Sequence, residues 1–303
     1  MTVSYRRIAF NPGHPLDLAD TLWPLRRGGI DDPSVRIGDN EVWRATRTSQ
    51  GLVTTHITAA GDGVDVEAWG PGADWAVEHA PILVGGLDDD RDFVPRHALV
   101  AELHRRHRGL RITKTEAVFE AVVPTVIEQK VPGLEARLAY RQTVRELGEP
   151  APGPGGLTVP PSPKTLASTP YWVFHRFGVE RRRAETIRRA AFYAHRLEEI
   201  LFMDRSEAYR RLMALPGLGA WSAAEVALVA LGDADAVSVG DYHLPHVVSW
   251  ALAGQPRGDD RLMLELLEPY RGHRGRVLRL LLTGGPSPPR FGPRLPLYRI
   301  ASR

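Results

Sequence analysis

Asp241 stands about 22 residues after Gly219 and just before an aromatic and apolar helical segment. A carboxylate so placed could stabilise a developing positive charge or orient a water molecule, and electrostatic stabilisation of this kind is commonly the largest catalytic contribution. Upstream, Leu215-Pro216-Gly217-Leu218-Gly219 is a tight turn between two apolar helical stretches, and Trp221 falls in the first turn of the second. The start of that helix offers backbone N–H groups and a favourable dipole to an anion such as a phosphate. Glycine lets the backbone approach such an anion closely. Each feature has a plainer alternative. Pro-Gly and Gly also connect ordinary αα-hairpins, Asp is a good helix N-cap, and Trp221 could anchor a core. His243 and His246 lie three apart near Asp241, but no third ligand accompanies them, so surface histidines are the safer reading than a metal pair.

The elements that must position these residues are mainly helical. Residues 1–100 are mixed: Glu41–Ser49, Leu52–Ala59 and Gly63–Trp69 are rich in Val, Thr, Ile and Trp with turn residues between them, which predicts a three-stranded antiparallel meander. A short helix over Leu16–Leu25 precedes it, and the apolar run Pro81–Leu87 ends in Asp88-Asp89-Asp90. From about Pro95 helices take over. One spans Ala98–His107, and another starts near Ile112, where Thr113 and Glu116 fit an N-terminal capping box. Val118, Phe119, Val122, Val123 and Val126 recur at helical spacing in it, and Pro124 should kink it or mark a break. Glu149–Pro163 is a long Pro/Gly loop, an irregular crossover or a functional loop.

Composition is that of an ordinary folded chain, 43% hydrophobic and 25% charged over 303 residues. No apolar run reaches membrane-spanning length, and the N-terminus lacks an apolar core of signal-peptide length. The absence of cysteine excludes disulfides and thiolate metal sites. A cytoplasmic protein is the default. Net charge is +3, unevenly spread: residues 1–100 hold 9 Lys/Arg against 15 Asp/Glu, while Pro269–Arg303 holds eight arginines and no acid. The C-terminal arginines are therefore expected to face an anionic partner, although a general preference for Arg over Lys would produce the same excess.

Taken together, these segments resemble the helix–hairpin–helix DNA glycosylase superfamily, and within it the DNA-3-methyladenine glycosylase II family of alkylation repair. LPGLGAWSA from Leu215, followed by GDADAVSVGDYHL from Gly232, is similar to the hairpin, Gly/Pro loop and catalytic Asp of that superfamily. ITKTEAVFEAVVPTVIEQKV from Ile112 resembles the helix leading to its wedge loop. FGVERRRAETIRRAA from Phe177 and LLEPYRGHRGRVLRLLL from Leu266 resemble its basic segment and its final helix.

The resemblance implies a mostly α fold: an all-helical glycosylase domain at 112–286, with its helix–hairpin–helix at 206–232, preceded by a smaller α+β domain with an antiparallel sheet at 1–111. A Pro/Arg-rich tail follows at 287–303. It implies a monofunctional glycosylase that flips an alkylated purine out of damaged double-stranded DNA and removes it by hydrolysis, leaving an abasic site. Asp241 would be catalytic, with Trp221 and Tyr242 stacking on the base. Backbone at Gly217, Gly219 and Ala220 would hold a phosphate. Gln129 and Lys130 would fill the gap left by the flipped nucleotide, and Arg181, Arg182 and Arg274 would contact DNA. A structural monovalent cation at the hairpin carbonyls is also implied. No cofactor, no catalytic metal and no membrane partner is expected of this monomer, which would associate with the nucleoid. Lyase-competent branches carry a lysine where this chain has Trp221, which argues against a bifunctional glycosylase/lyase. Four residues depart from the family: Glu225 replaces a pocket aromatic, Arg279 a late pocket tryptophan, and Lys130 with Glu128 alters the wedge. They leave open a second reading, a lesion-sensing DNA-binding protein of the same fold without catalysis.

Overall fold

Alternating Val, Ile and Thr side chains build the N-terminal sheet. The structure, a computed structural model, describes residues 4–289, so most of the expected tail lies outside the described residues. Strands β1 (Tyr5–Phe10), β2 (Val35–Ile37), β3 (Glu41–Thr48), β4 (Gly51–Ala60) and β5 (Gly63–Trp69) form one antiparallel sheet in the order β1-β5-β4-β3-β2. The expected meander is β3-β4-β5, and two flanking strands extend it. Register places Val42 opposite Ile57, Ile57 opposite Val66, and Val66 opposite Ile8. That row faces helices α1 (Leu18–Leu22) and α2 (Ala73–Leu83), where Leu18, Leu22, Ala80 and Leu83 close the core.

The opposite face of the sheet carries Trp43 and Trp69, stacked with centroids 5.8 Å apart. The long Pro/Gly loop lies over them. It contains the short pair β6 (Glu149–Pro150) and β7 (Thr158–Val159). Gly153 and Gly155 both have positive φ, and a Cβ on them would come within 2.4 Å of Trp69 and 2.9 Å of Trp43. The glycines thus let the loop rest flush on the indoles, and the loop is a cover for the sheet.

Helices α3 (Ala98–Arg106), α4 (Val118–Glu128) and α5 (Gly133–Leu147) follow. α4 is the central helix: every residue from Val118 to Ile127 except Glu120 is buried. It passes through Pro124 for one more turn. The capping box expected at Thr113 and Glu116 is not formed, and the helix starts at Val118. Residues 113–117 instead follow an irregular path, with Glu116 at φ +51°, where Thr115 and Glu116 donate their N–H groups to the Val229 and Ala230 carbonyls. Thr113 Oγ1 donates to the Leu83 carbonyl at 2.7 Å. The first N–H groups of α4, at Val118 and Phe119, are accepted by the Glu198 carboxylate at 3.0 and 2.8 Å.

Around α4 pack α6 (Pro163–Ser168), α7 (Tyr171–His175), α8 (Arg181–Phe192), α9 (Ala194–Glu198), α10 (Arg205–Met213) and α11 (Ala220–Val226), which continues as a π-helical turn over Ala227–Leu231. Helices α12 (Leu244–Ala253), α13 (Asp260–Leu267) and α14 (Arg274–Gly284) complete the described chain. They share a second core with Phe93, Val100, Leu103 and Leu110. Residues 93–110 therefore pack with the C-terminal helices, although they precede the boundary expected at 111.

The C-terminal arginines correct the charge reading. Arg271 pairs with Glu268, Arg274 with Asp235 and Arg276 with Asp88, while Arg279 donates to the Asp20 carbonyl. All four that lie within the described residues have partners inside the chain. Asp88 and Asp20 come from the acidic N-terminal third, and a count along the sequence cannot see them. The other four, at 290, 294, 299 and 303, lie outside the described residues.

Candidate active site and nucleic-acid interface

The hairpin is built from the inside. Asp204 caps α10 by accepting from Glu207 N at 2.9 Å. The chain turns at Leu215–Gly219, with Leu218 N donating to the Leu215 carbonyl. Gly217 has φ +102°, and a Cβ there would meet Thr186 Oγ1 at 2.3 Å, so only glycine fits. Gln129 Nε2 donates to the Gly217 carbonyl at 2.8 Å and to Ser222 Oγ at 2.9 Å, which ties the end of α4 to both limbs of the turn. Gly219, the N-cap of α11, has no side chain with which to cap the helix. The first-turn N–H groups from Ala220 onward are thus left for an external acceptor.

Two carbonyls of the turn at which a monovalent cation is expected already have donors. The Pro216 carbonyl accepts from the Arg189 guanidinium at 3.0 Å and the Gly217 carbonyl from Gln129. A positive charge already sits on the turn, and two of its oxygens are engaged. Among the described residues no group of three or more acidic or histidine side chains could hold a metal ion. His246 Nδ1 accepts from Gly258 N at 3.2 Å, which gives one member of the histidine pair a structural use.

Asp241 and Trp221 meet across the turn and loop. Trp221 Nε1 donates to Asp241 Oδ2 at 2.9 Å. Asp241 Oδ1 accepts from His243 N at 2.7 Å and Leu244 N at 2.9 Å. Asp241 therefore holds the backbone that enters α12, whose N-cap residue is His243, and is the partner of Trp221 at once. Gly240 N donates to the Asp260 carboxylate at 3.0 Å, and Asp241 N donates to the Ser238 carbonyl, so the backbone before α12 is held as well. Tyr242, next in the chain, is 76% exposed, and its ring meets those of His243 and His246 edge-on.

Three of the residues singled out as departures, Glu128, Glu225 and Arg279, gather at one place. Glu225 Oε1 accepts from Ser238 Oγ at 2.6 Å, and its Oε2 lies 3.7 Å from Arg27 Nη1. Arg27 Nη1 donates to Glu128 Oε2 at 3.1 Å. Burial works against the charge of Arg27, but Glu128 and then Glu225 outweigh it and leave its pKa raised. Burial pushes the Glu128 carboxyl up, with Arg27 opposing. Arg279 is within electrostatic reach of the group, and burial lowers its pKa to about 10. Arg27 escaped the sequence reading because it lies some 200 residues from Glu225 in an unremarked Arg-Arg-Gly-Gly turn, and no local pattern marks it. Ser238 and Glu198 escaped for the same reason.

The remaining candidates divide by exposure. Lys130 is exposed and has φ +55°, uncommon for a residue with a side chain. Arg181 and Arg182 are exposed in the first turn of α8, with the Arg181 guanidinium 4.7 Å from the Tyr171 ring centroid. Arg183 points inward and donates to the Ile127 carbonyl at 2.6 Å, closing the C-terminal end of α4. Arg274 gives Nε and Nη2 to Asp235 at 2.8 and 2.6 Å.

The fold defined by this arrangement is that of the helix–hairpin–helix DNA glycosylases. The structure superposes on the 3-methyladenine DNA-glycosylase from Archaeoglobus fulgidus with a TM-score of 0.73 at 20% identity, over 91% of this chain and 97% of the other. MBOgg1, solved in complex with a low affinity DNA ligand, gives a TM-score of 0.71 at 15% identity over 93% and 97%. The apo 8-oxoguanine glycosylase/lyase of Clostridium acetobutylicum gives 0.70 at 13% over 93% and 98%. No family model and no curated protein sequence matches the chain.

Proposed function

We propose that this chain is a monofunctional DNA glycosylase of base excision repair. It flips a damaged nucleotide out of the duplex and hydrolyses its N-glycosidic bond, with an alkylated purine as the base released. The observation that carries this reading is the Trp221–Asp241 hydrogen bond, set directly behind a hairpin whose helix start is left open to an acceptor.

Each part has a task. Backbone N–H groups at Gly219 and Ala220 take a DNA phosphate, with the helix dipole in favour. Arg181 and Arg182 lie in the first turn of α8, where cations oppose the dipole. Their position there favours contact with a polyanion over a part in helix stability. Unstacking the nucleotide costs a few kcal/mol, less where the base is damaged. As the glycosidic bond breaks, the sugar takes on oxocarbenium character. The Asp241 carboxylate, aimed by three N–H donors, faces that positive charge or orients the attacking water. Tyr242 offers an exposed ring on which a cationic base can stack, a contact of roughly 0.5–2 kcal/mol.

The solved relatives are named for both 3-methyladenine and 8-oxoguanine, so the choice of an alkylated purine rests on this chain's own residues. Trp221 stands where an amine would be needed for Schiff-base chemistry, which supports hydrolysis without strand cleavage. No described helix is long and apolar enough to cross a membrane, and we place the enzyme on nucleoid DNA as a monomer. The test is base release from duplexes bearing 3-methyladenine, 7-methylguanine, ethenoadenine, hypoxanthine, uracil or 8-oxoguanine. At least one is released by the wild type and none by Asp241→Asn, and borohydride traps no covalent complex. Lesion duplex bound without release of any base would favour the second reading, a lesion sensor. That reading draws on the guanidinium of Arg27 lodged between Glu128 and Glu225.

A further inference from the structure

Resting on the glycosylase reading of the same site, we propose that Glu128 and Glu225 determine which base is accepted, and that Arg27 is their resident cation, holding the place of the base until a nucleotide displaces it.

Position comes first. Glu225 lies four residues after Trp221 on α11, on the same helix face. Ser238 holds its Oε1 at 2.6 Å, and the Ser238 carbonyl accepts from Asp241 N at 3.2 Å. Two separate connections thus tie Glu225 to the Trp221–Asp241 pair. Glu128 arrives from the end of α4, one residue before the glutamine that straps the hairpin.

Chemistry narrows the ligand. Ionised carboxylates only accept hydrogen bonds, and a guanidinium only donates. Arg27 supplies a flat cation with N–H groups along its edge, 3.1 Å from Glu128 and 3.7 Å from Glu225. A ligand that takes its place must offer the same: a planar ring, positive charge and an N–H edge. A purine alkylated on a ring nitrogen meets that description, whereas a neutral base that turns a carbonyl towards the carboxylates does not. With Arg27 displaced, the cationic base and Arg279 balance the two carboxylates.

Displacement is feasible. Among the described residues the Arg27 side chain makes one hydrogen bond, to Glu128. Its neighbour Arg279 is anchored to backbone at Asp20 and stays. The carboxylate side chains are 26% and 21% exposed against 14% for Arg27, so they are more open to solvent than the cation between them.

The experiment compares release of 7-methylguanine, cationic in the nucleotide, with release of neutral hypoxanthine, using full-length protein whose folding is checked by circular dichroism. In Glu225→Gln and Glu128→Gln, kcat/KM for 7-methylguanine falls about ten-fold while that for hypoxanthine changes less than about two-fold, the span expected for one charge-assisted hydrogen bond. In Arg27→Gln, KM for 7-methylguanine falls several-fold with kcat kept, and millimolar guanidinium chloride then competes with substrate as it does not in the wild type. Should Arg27→Gln not fold, Arg27→Lys replaces it, and its KM falls less. Equal losses on both bases in the glutamate variants, or an unchanged or raised KM in the Arg27 variant that folds, overturn this assignment while leaving the glycosylase reading intact. Absence of release from every lesion by the wild type overturns both.

Discussion

Trp221 Nε1 and Asp241 Oδ2 stand 2.9 Å apart, joining the first turn of the hairpin helix to the segment that enters α12. One carboxylate oxygen is thereby fixed by a side chain and the other by backbone. Asp241→Asn removes the charge and should lower single-turnover base release by more than about 100-fold, the scale of a lost electrostatic stabiliser. Duplex binding should persist in a gel-shift assay. Trp221→Phe keeps the ring and deletes the donor, and should cost about ten-fold in kcat. Release by Asp241→Asn at the wild-type rate would refute the mechanism.

Gln129 is a strap whose loss should be felt in two assays. Gln129→Ala deletes bonds to Gly217 and Ser222. Stability in urea should fall by about 1–3 kcal/mol, and duplex affinity should fall with it because the phosphate-facing backbone is no longer held. A variant weakened in stability alone would mean the turn keeps its shape without the strap.

Gly217 admits no side chain. Gly217→Ala meets both the positive φ and the Thr186 hydroxyl, and the backbone strain alone costs about 1–3 kcal/mol. Adding Thr186→Ala relieves the contact with the hydroxyl and methyl and should recover part of the melting temperature, leaving the share due to φ. Full recovery would show that strain in φ contributes little.

Acid should loosen the loop that delivers Asp241. Burial works to raise the Asp235 carboxyl, but hydrogen bonds from the Arg274 side chain and backbone prevail and leave its pKa below the ordinary value. The unfolded chain then binds this proton more readily, so the stabilisation is present above the unfolded pKa of about 4 and is lost as pH falls through the folded one. Melting temperature should drop below about pH 4, and Asp235→Asn should flatten that part of the profile.

The sequence shows the hairpin, Asp241 and the helix order because each has a local signature: two glycines, an Asp before an apolar run, and apolar residues at helical spacing. What it hides comes from distant residues. Thr113 and Glu116 have the spacing of a capping box, yet Val229 and Ala230 carbonyls hold that backbone in an irregular, non-helical path. The N–H groups at Val118 and Phe119 are then met by Glu198, eighty residues downstream. The four departures from the family pattern could be seen singly. The meeting of Glu128, Glu225 and Arg279 around Arg27 could not, because Arg27 arrives from between the first two strands of the sheet.

The pair of Asp88 and Arg276 has a consequence for how the protein is made. Their side chains are 1–2% exposed, 2.5 Å apart and 188 residues apart in the chain. During synthesis the sheet emerges first, and Asp88 must wait for almost the whole helical part before its counter-charge appears. A buried charge left without its partner is strongly destabilising. The N-terminal third thus completes its fold only when α14 has been made, and a nascent chain stalled before that helix would present an unfinished surface to chaperones and proteases.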